Sequence, residues 1–376
     1  MSIHKRPTSR GVRYDVRLRT IEGKTYTRTW RTRKEAESYE RAELTARDRG
    51  DWIDPTQRAR TFDAVAAEWL AANPAKRAST LGRDRSALDR HLVPALGGKR
   101  IGGIVPRDVQ ALIATMSATL SPATVVRNYN VAAAIFRYAT DRDYIAKTPC
   151  RTVKLPKIAR TAVHVFTPDE LAAVVDAMPV EHAPMVWIGA LLGLRWGEVA
   201  ALHVADIDLL GRELHVRHTV TRDELGHTSI GEPKSDAGTR TLTIPGPLAQ
   251  VLAAHLAAAG LTAADGDALL FPDTRSGPLT ASNWRRRVRL PALVAAGLGT
   301  ITQGVYDGPT FHDLRRTSAT GLIAAGVDVK TAQSRLGHSQ VRLTLELYAQ
   351  AVTEQDRKAS DALADQLMPA RLHRPA

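Results

Sequence analysis

The chain has 376 residues, 44% of them hydrophobic, which is enough for two or three domains with buried cores. The single cysteine, Cys150, excludes an internal disulfide framework and fits a reducing cytoplasm. Without a run of about 18 apolar residues or an apolar stretch after the basic N-terminus, we expect neither a membrane span nor a secretory signal. A net charge of +13 favours a polyanionic partner, nucleic acid first, with a basic surface kept for solubility as the alternative.

Residues 1–57 show the pattern of a small DNA-binding module. The segment GVRYDVRLR alternates between an apolar face and a polar face of arginines and Asp15, which predicts a half-buried strand. TYTRTW predicts a second strand, and Thr32 with Glu35 forms a capping-box pattern for a helix that Gly50 ends. We expect a small sheet with one helix, whose arginine face either enters a DNA groove or is only solvated.

Residues 60–150 are predicted to form a helical bundle. Apolar residues recur at helical spacing in TFDAVAAEWL, STLGRDRSALDRHLVPAL and VPRDVQALIATM. A further helix starts with Ser121 as N-cap and Pro122 at its first position. Residues 151–162 are basic and aperiodic, which predicts a linker that either straps against DNA backbone or is merely solvated. The remainder, residues 163–376, alternates helical and short strand patterns.

Two stretches of this last region place a basic side chain in a distinctive setting. In GLRWGE, Glu198 follows Arg195 by three residues on the same face of a predicted helix, so it can hold the guanidinium in one orientation. In PKSDAGTR, Lys234 lies at or near the tip of a predicted hairpin, from which it can reach into a groove. Taken singly, these patterns are also typical of a structural ion pair and of a solvated lysine.

Two further stretches carry histidines. TFHDLRRT begins with a capping-box pattern that puts His312 in the first turn of a helix and Arg315 on the same face, a good site for an anion. In LGHSQVRLTLELY, a helix is predicted to end at Gly337, His338 follows directly, and Tyr348 lies in the next helical run. Taken alone, a surface arginine explains the first pattern equally well, and a lone helical tyrosine such as that of the second is usually a packing residue.

Together, and in this order, the four stretches resemble the tyrosine recombinase (phage-type integrase) family. GLRWGE is similar to its first-arginine motif, PKSDAGTR to its lysine hairpin, HDLRRT to its H-x-L-R motif, and LGH with a tyrosine ten residues later to its histidine–tyrosine segment. The resemblance covers nearly the whole chain, and this sequence matches the family's motifs at all six positions that carry the chemistry. It implies six catalytic residues: Arg195, Lys234, His312, Arg315, His338 and Tyr348.

The resemblance also implies a mainly α fold with small β elements (α+β) in three domains. Residues 1–57 would form an arm-type DNA-binding domain with a three-stranded sheet plus a helix, and residues 60–150 a helical, SAM-like core-binding domain. After the 151–162 linker, residues 163–376 would form a mixed α/β catalytic domain. Its C-terminal tail helix would dock on a neighbouring subunit or fold back on its own domain.

The implied reaction is attack of Tyr348 on a DNA phosphodiester, which forms a 3′-phosphotyrosyl intermediate. Arg195 and Arg315 would stabilise the charge on the phosphate, Lys234 would act as general acid, and the histidines would assist proton transfer. No cofactor and no metal ion is expected, since the histidines lack zinc spacing such as H-E-x-x-H. The bond energy is kept in the phosphotyrosine, so no ATP is needed.

The expected function is site-specific recombination that integrates and excises a phage or another mobile element. The implied partners are double-stranded DNA at attachment sites, with core sites and arm sites, a homotetramer on synapsed DNA, and a directionality factor. The expected location is the nucleoid in the cytoplasm of a bacterial host. A conjugative-transposon recombinase is the nearest alternative, a type IB topoisomerase shares the chemistry, and a catalytically inactive DNA-binding regulator of the same fold belongs to a different class.

Overall fold

A computed structural model describes residues 2–337 with short gaps at 10, 20–22, 24, 50–51, 160–162, 224 and 234–235. The chain folds into two compact units divided at residue 160. Both combine helices with small antiparallel sheets, which confirms the α+β prediction. Among the described helices, none is long and apolar enough to cross a membrane.

The first unit opens with a three-stranded antiparallel sheet followed by a helix, as predicted. These are β1 (Ser2–Thr8), β2 (Gly11–Arg19), β3 (Thr25–Trp30) and α1 (Arg33–Asp48). Val16 and Leu18 of β2 pack with Ala36 of α1 in a small core. The capping box is confirmed: the Thr32 hydroxyl accepts from the Glu35 N–H at 3.2 Å, and the Glu35 carboxylate accepts from the Thr32 N–H at 3.0 Å.

Asp15 is an exception on the polar face of β2, which was expected either to enter a DNA groove or to be solvated. It is buried, because the Thr29 hydroxyl of β3 donates to its Oδ1 at 2.6 Å and the Arg6 Nε of β1 donates to its Oδ2 at 2.8 Å. One carboxylate therefore joins all three strands on the polar face. Arg17 and Arg19 of the same face are exposed.

A helical bundle completes the first unit, as the periodicity predicts. Its helices are α2 (Pro55–Arg58), α3 (Phe62–Ala71), α4 (Ala78–Ala87), α5 (Val93–Leu96), α6 (Pro106–Ser117) and α7 (Pro122–Asp141). A π-helical segment, Leu88–Leu92, joins α4 to α5, so the predicted single helix carries a local widening. The Ser121 N-cap is confirmed, since its hydroxyl accepts from the Thr124 N–H.

The bundle core is built where α3 meets α7. The rings of Phe62 and Phe136 lie 5.6 Å apart and are fully buried. Beside them the Glu68 carboxylate accepts from the hydroxyls of Tyr138 and Tyr144, each at 2.8 Å. An aromatic pair and a shared carboxylate therefore hold the same two helices together.

The second unit contains eight described helices and three small β structures. The helices are α8 (Pro168–Asp176), α9 (Ala183–Trp187), α10 (Trp196–Val199), α11 (Gly246–Ala258), α12 (Ala281–Trp284), α13 (Leu290–Ala295), α14 (Phe311–Ala324) and α15 (Val329–Leu336). The strands are β4 (Ile207–Asp208), β5 (Glu213–Val216), β6 (Thr219–Arg222), β7 (Thr228–Gly231), β8 (Arg240–Thr243), β9 (Thr300–Thr302) and β10 (Val305–Asp307). They form a β4-β5-β8 sheet and two hairpins, β6–β7 and β9–β10.

The strand predicted in RELHVRHTV is in fact two strands. β5 pairs with β8, and the hairpin β6–β7 is inserted between them in the sequence. The tip of that hairpin lies near Gly226, whereas Lys234 belongs to the connection from β7 to β8 and lies outside the described residues. The two segments predicted to pair do so as β5 and β8, but they are not the arms of one hairpin, because β6–β7 lies between them in the sequence.

The packing of α9 against α14 brings the first-arginine motif to the H-x-L-R motif. A π-helical segment, Ile188–Leu192, continues α9. Gly189 lies in this segment, and a Cβ placed there would come within 3.0 Å of Leu314 and 3.1 Å of the Phe311 ring. A side chain here would press on Leu314 and Phe311, so glycine favours this close approach of the two helices.

We expect Phe136→Ala to lower the free energy of unfolding of the bundle by about 3–5 kcal/mol, because a cavity opens beside Phe62. Chemical denaturation of the full chain, followed by circular dichroism, measures the change. Arg137→Ala, at the neighbouring exposed position, is the control and should change it by less than about 0.5 kcal/mol. Equal effects of the two substitutions would contradict the described core.

Candidate active site

Arg195 is placed by an abrupt end of the helix before it. Gly193 adopts a left-handed conformation (φ 68°), and a Cβ there would come within 2.6 Å of Leu336. Arg195 follows with extended backbone as the N-cap of α10. It therefore does not share a helical face with Glu198, which corrects the sequence interpretation.

Glu198 nevertheless orients Arg195, as predicted. Its Oε1 accepts from Nη1 of Arg195 at 2.7 Å, and its Oε2 accepts from the backbone N–H of Arg195 at 3.0 Å. The Arg195 side chain remains 41% exposed, and its Nη2 donates to the carbonyl oxygen of Gly337 at 3.4 Å. The guanidinium is thus held on one side and open to solvent on another.

Arg315 lies on α14 and is buried to an unusual degree for a charged residue, with 2% of its surface exposed. Its Nη1 donates to the Gly193 carbonyl oxygen at 2.6 Å, and its Nη2 donates to the Leu336 carbonyl oxygen. The planar fork of the guanidinium suits two such acceptors at once. Arg315 therefore fastens the turn before Arg195 to the end of α15.

Arg240, the first residue of β8, is a member of the site that the sequence analysis missed. Its Nη2 donates to Oε2 of Glu198 at 3.0 Å, and its Nε and Nη1 donate to the carbonyl oxygens of Arg335 and Gly238. The alternation of β8 was the available signal, since it places Arg240 on the same face as buried Leu242. Arg195, Arg240, Arg315 and Glu198 are called the arginine cluster below.

The arginine cluster carries three guanidinium groups and one carboxylate. Burial by itself raises the pKa of Glu198, but attraction and hydrogen bonding to Arg240, with a smaller effect of Arg195, bring that pKa below its ordinary value. Burial and then the charge of Arg195 lower the pKa of Arg315 to about 9, so it remains charged at neutral pH. The excess positive charge makes the cluster a site for an anion.

His312 lies in the first turn of α14, next to the capping box. The capping box is confirmed, because Oδ2 of Asp313 accepts from the backbone N–H of Thr310 at 2.6 Å. His312 is exposed at the surface, yet partial desolvation of its ring, and then the charges of Arg315 and Arg316, lower its pKa. Its imidazole is therefore neutral at pH 7 and able to accept a proton.

Lys234, His338 and Tyr348 lie outside the described residues. Their described neighbours nevertheless meet at the arginine cluster. Gly337, which ends α15 in a left-handed conformation as predicted, directly precedes His338. A Cβ on Gly337 would come within 2.7 Å of the carbonyl oxygen of Ala237, three residues after Lys234.

Comparison with known proteins identifies the family of this chain. Residues 164–355 match the model of the Phage integrase family, and residues 62–156 match that of the Phage integrase central domain. The chain therefore belongs to the phage integrase family of tyrosine recombinases. This confirms the family that the four motifs indicated.

Two curated relatives show how far the similarity extends. The chain is 30% identical to a protein described as a prophage phiRv2 integrase of Mycobacterium tuberculosis (strain ATCC 25618 / H37Rv), over 81% of this chain and 78% of that one. It is 25% identical to the integrase of Mycobacterium phage D29, over 92% of this chain and 91% of that one. The similarity thus includes most of the N-terminal unit as well as the second unit.

Two solved structures share the fold. The Tn1549 transposon integrase in complex with transposon right end DNA has a TM-score of 0.68 at 23% identity, over 81% of this chain and 100% of that one. The lambda integrase tetramer bound to a Holliday junction has a TM-score of 0.58 at 18% identity, over 91% of this chain and 94% of that one.

We expect Glu198→Gln to lower the free energy of unfolding by about 3–5 kcal/mol at neutral pH, because it leaves Arg195 and Arg240 without their shared counter-charge. The pKa of Glu198 is lowered in the folded protein, so its stabilising effect is complete above about pH 4.5 and is lost as the pH falls through the lowered value. The difference between wild type and variant should therefore shrink only in acid.

Denaturant unfolding at a series of pH values measures this difference. Glu213→Gln, at a half-exposed position on β5, is the matched control and should show little effect at any pH. A Glu198→Gln variant as stable as wild type at pH 7 would contradict the proposed role of the carboxylate.

Proposed function

We propose that this tyrosine recombinase cuts and rejoins DNA through a 3′-phosphotyrosyl intermediate on Tyr348. The observation that carries the proposal is the meeting of Arg195 and Arg315 at the end of α15. Arg195 contacts Gly337, the residue before His338, and Arg315 contacts Leu336. The chain that leads to Tyr348 therefore departs from the point where the positive charge is concentrated.

The arginines would offset the main obstacle to the reaction, which is the negative charge of the phosphate. Charge on the non-bridging oxygens grows in the pentacoordinate transition state, and preorganised donors stabilise it by roughly 3–4 kcal/mol each, by analogy with oxyanion holes. Arg195, with its partly exposed guanidinium, would contact the phosphate directly. Arg315 and Arg240 would add charge and keep Arg195 in place.

The remaining residues of the proposed site would carry out the proton transfers. A tyrosine hydroxyl has an ordinary pKa of about 10 and must lose its proton to attack. His312, neutral at pH 7 because of its lowered pKa, would take part in accepting that proton. Lys234 would protonate the leaving 5′ oxygen, and His338 would donate to a non-bridging oxygen, as the family resemblance implies.

DNA is the proposed substrate and a homotetramer on synapsed duplexes the proposed assembly. The Tn1549 integrase was solved with transposon-end DNA and the lambda integrase as a tetramer on a Holliday junction. The net charge of +13 and the exposed arginines of β2 support DNA binding by this chain. The protein would integrate and excise a phage or related element in a bacterial nucleoid. It would use arm sites and a directionality factor to do so.

We expect Tyr348→Phe to abolish a covalent protein–DNA adduct while DNA binding is retained, because only the nucleophilic oxygen is removed. The substrate is a nicked duplex from the junctions of the element that carries the gene, and a denaturing gel detects the adduct. Tyr306→Phe, the only other tyrosine after residue 160, is the control and should still form it.

Two outcomes would contradict the proposal. An adduct formed by Tyr348→Phe would mean that another residue is the nucleophile. A wild-type protein that binds its junction DNA yet never forms the adduct would instead favour a DNA-binding regulator.

We expect deletion of residues 1–51 to weaken binding to arm-type sites while cleavage of core-type DNA survives. The deletion leaves Asp54 in place, because its carboxylate caps α2 by accepting from the Thr56 N–H at 2.8 Å. Mobility-shift titration with each class of site, alongside the adduct assay, measures both properties. Loss of cleavage in a folded variant would contradict a separate role for residues 1–57.

A further inference from the structure

His203, Asp206 and His218 form a second group of chemically reactive side chains, outside the arginine cluster. One nitrogen of each ring and one carboxylate oxygen lie within 4.8 Å of one another. The two imidazole rings meet edge to face, with centroids 5.1 Å apart. We infer that this group is a binding site for a divalent transition-metal ion, and that Zn²⁺ is the ion it fits best.

The unsatisfied ring nitrogens are the main observation. The Nδ1 atoms of His203 and His218 are shielded from solvent, and neither has a hydrogen-bond partner in the described part of the chain. Oδ2 of Asp206 lies 3.7 Å from Nδ1 of His203, which is too far for a hydrogen bond. Buried polar atoms are seldom left unpaired, and a shared cation would satisfy them.

The donor set selects the class of metal. Two imidazoles and one carboxylate suit Zn²⁺ and its transition-metal neighbours, whereas Mg²⁺ and Ca²⁺ prefer oxygen ligands throughout. Zinc bonds of about 2.1 Å place tetrahedral ligand atoms roughly 3.4 Å apart. The distances between the three ligand atoms, which are within 4.8 Å, must therefore shorten by no more than about 1.4 Å.

Asp206 is held from two further directions, as ligands of a metal site commonly are. It is 2% exposed, its Oδ2 accepts from the backbone N–H of His203 at 2.9 Å, and its Oδ1 lies 3.4 Å from Nη1 of Arg217. The Arg217 side chain is half-exposed, so it can turn to solvent when a cation takes over the neutralisation of the carboxylate.

His203 also borders an open cleft, which brings solvent to one side of the group. His203 lies on the wall of this cleft, which has a volume of about 570 Å³ and is also lined by His182, His255, Glu181 and Asp267. Three protein ligands leave a coordination position for a water molecule from the cleft. The carboxylates of Glu181 and Asp267 in this lining would attract cations towards His203.

A bound ion would join two segments that already pack together. His203 follows α10, which carries Glu198, and His218 directly precedes β6. A Cβ on Gly197 of α10 would come within 2.8 Å of the Thr219 hydroxyl of β6. The ion would therefore stiffen the part of the second unit that holds Glu198 in position, a structural role that requires no step of the recombination chemistry.

The test uses the full-length, tag-free protein after treatment with a chelator. Isothermal titration with Zn²⁺ should give one tight site, titration with Co²⁺ should give the visible absorption of a tetrahedral or five-coordinate ion, and the unfolding temperature should rise with Zn²⁺ concentration. His218→Ala should weaken the affinity at least tenfold and remove the Co²⁺ band and the thermal shift.

His215→Ala is the matched control, because His215 lies nearby on β5 and its ring contacts the Thr241 hydroxyl instead of the group. Circular dichroism checks that each variant is folded, and Asp206→Asn gives a second disruption of the group with the smallest change of shape. Wild-type protein without a tight site would overturn the inference. So would a site of unchanged affinity in folded His218→Ala, or one lost equally in His215→Ala.

Discussion

The carboxylate of Glu198, buried between two guanidinium groups, is the interaction on which the rest of the site depends. Removing charges from water is costly, and the cost is offset only when the hydrogen bonds of the buried groups are satisfied. Glu198 meets this condition through the backbone and side chain of Arg195 and through Arg240. One carboxylate can therefore hold two cations without cancelling the positive charge of the cluster.

The main chain supplies the remaining contacts, and two glycines make this possible. Gly193 and Gly337 both adopt left-handed conformations, and both lie where a side chain would collide with a neighbouring segment. Their turns direct carbonyl oxygens at Arg315 and Arg195. The ends of α9 and α15 thus serve as acceptors for the arginines, and helix packing in the second unit sets the geometry of the proposed chemistry.

Local patterns in the sequence predicted the parts of the fold that depend on local physics. The capping boxes at Thr32 and at Thr310, and the N-cap at Ser121, are present as predicted, because capping involves residues only a few positions apart. The pairing of Glu198 with Arg195 was also predictable, although the helix break at Gly193 was hidden in an apolar run.

Features that depend on distant segments escaped prediction. The alternation of β8 turns Arg240 towards the face of buried Leu242, but only the approach of Glu198 and Arg335 makes it part of the site. Asp15 was predicted only to lie on the polar face of β2, but residues on both neighbouring strands enclose it. His203 and His218 are separated by two strands in the sequence, so no spacing motif could reveal their contact.

The use of peptide carbonyls as acceptors for the arginines has an evolutionary consequence. Every residue offers the same carbonyl oxygen, so substitution at Arg335 would preserve the hydrogen bond from Arg240 provided the backbone path is kept. Side chains at such positions are therefore free to diversify while the hydrogen bonds that hold the arginine cluster stay the same. A designer who retargets such an enzyme could exploit the same freedom.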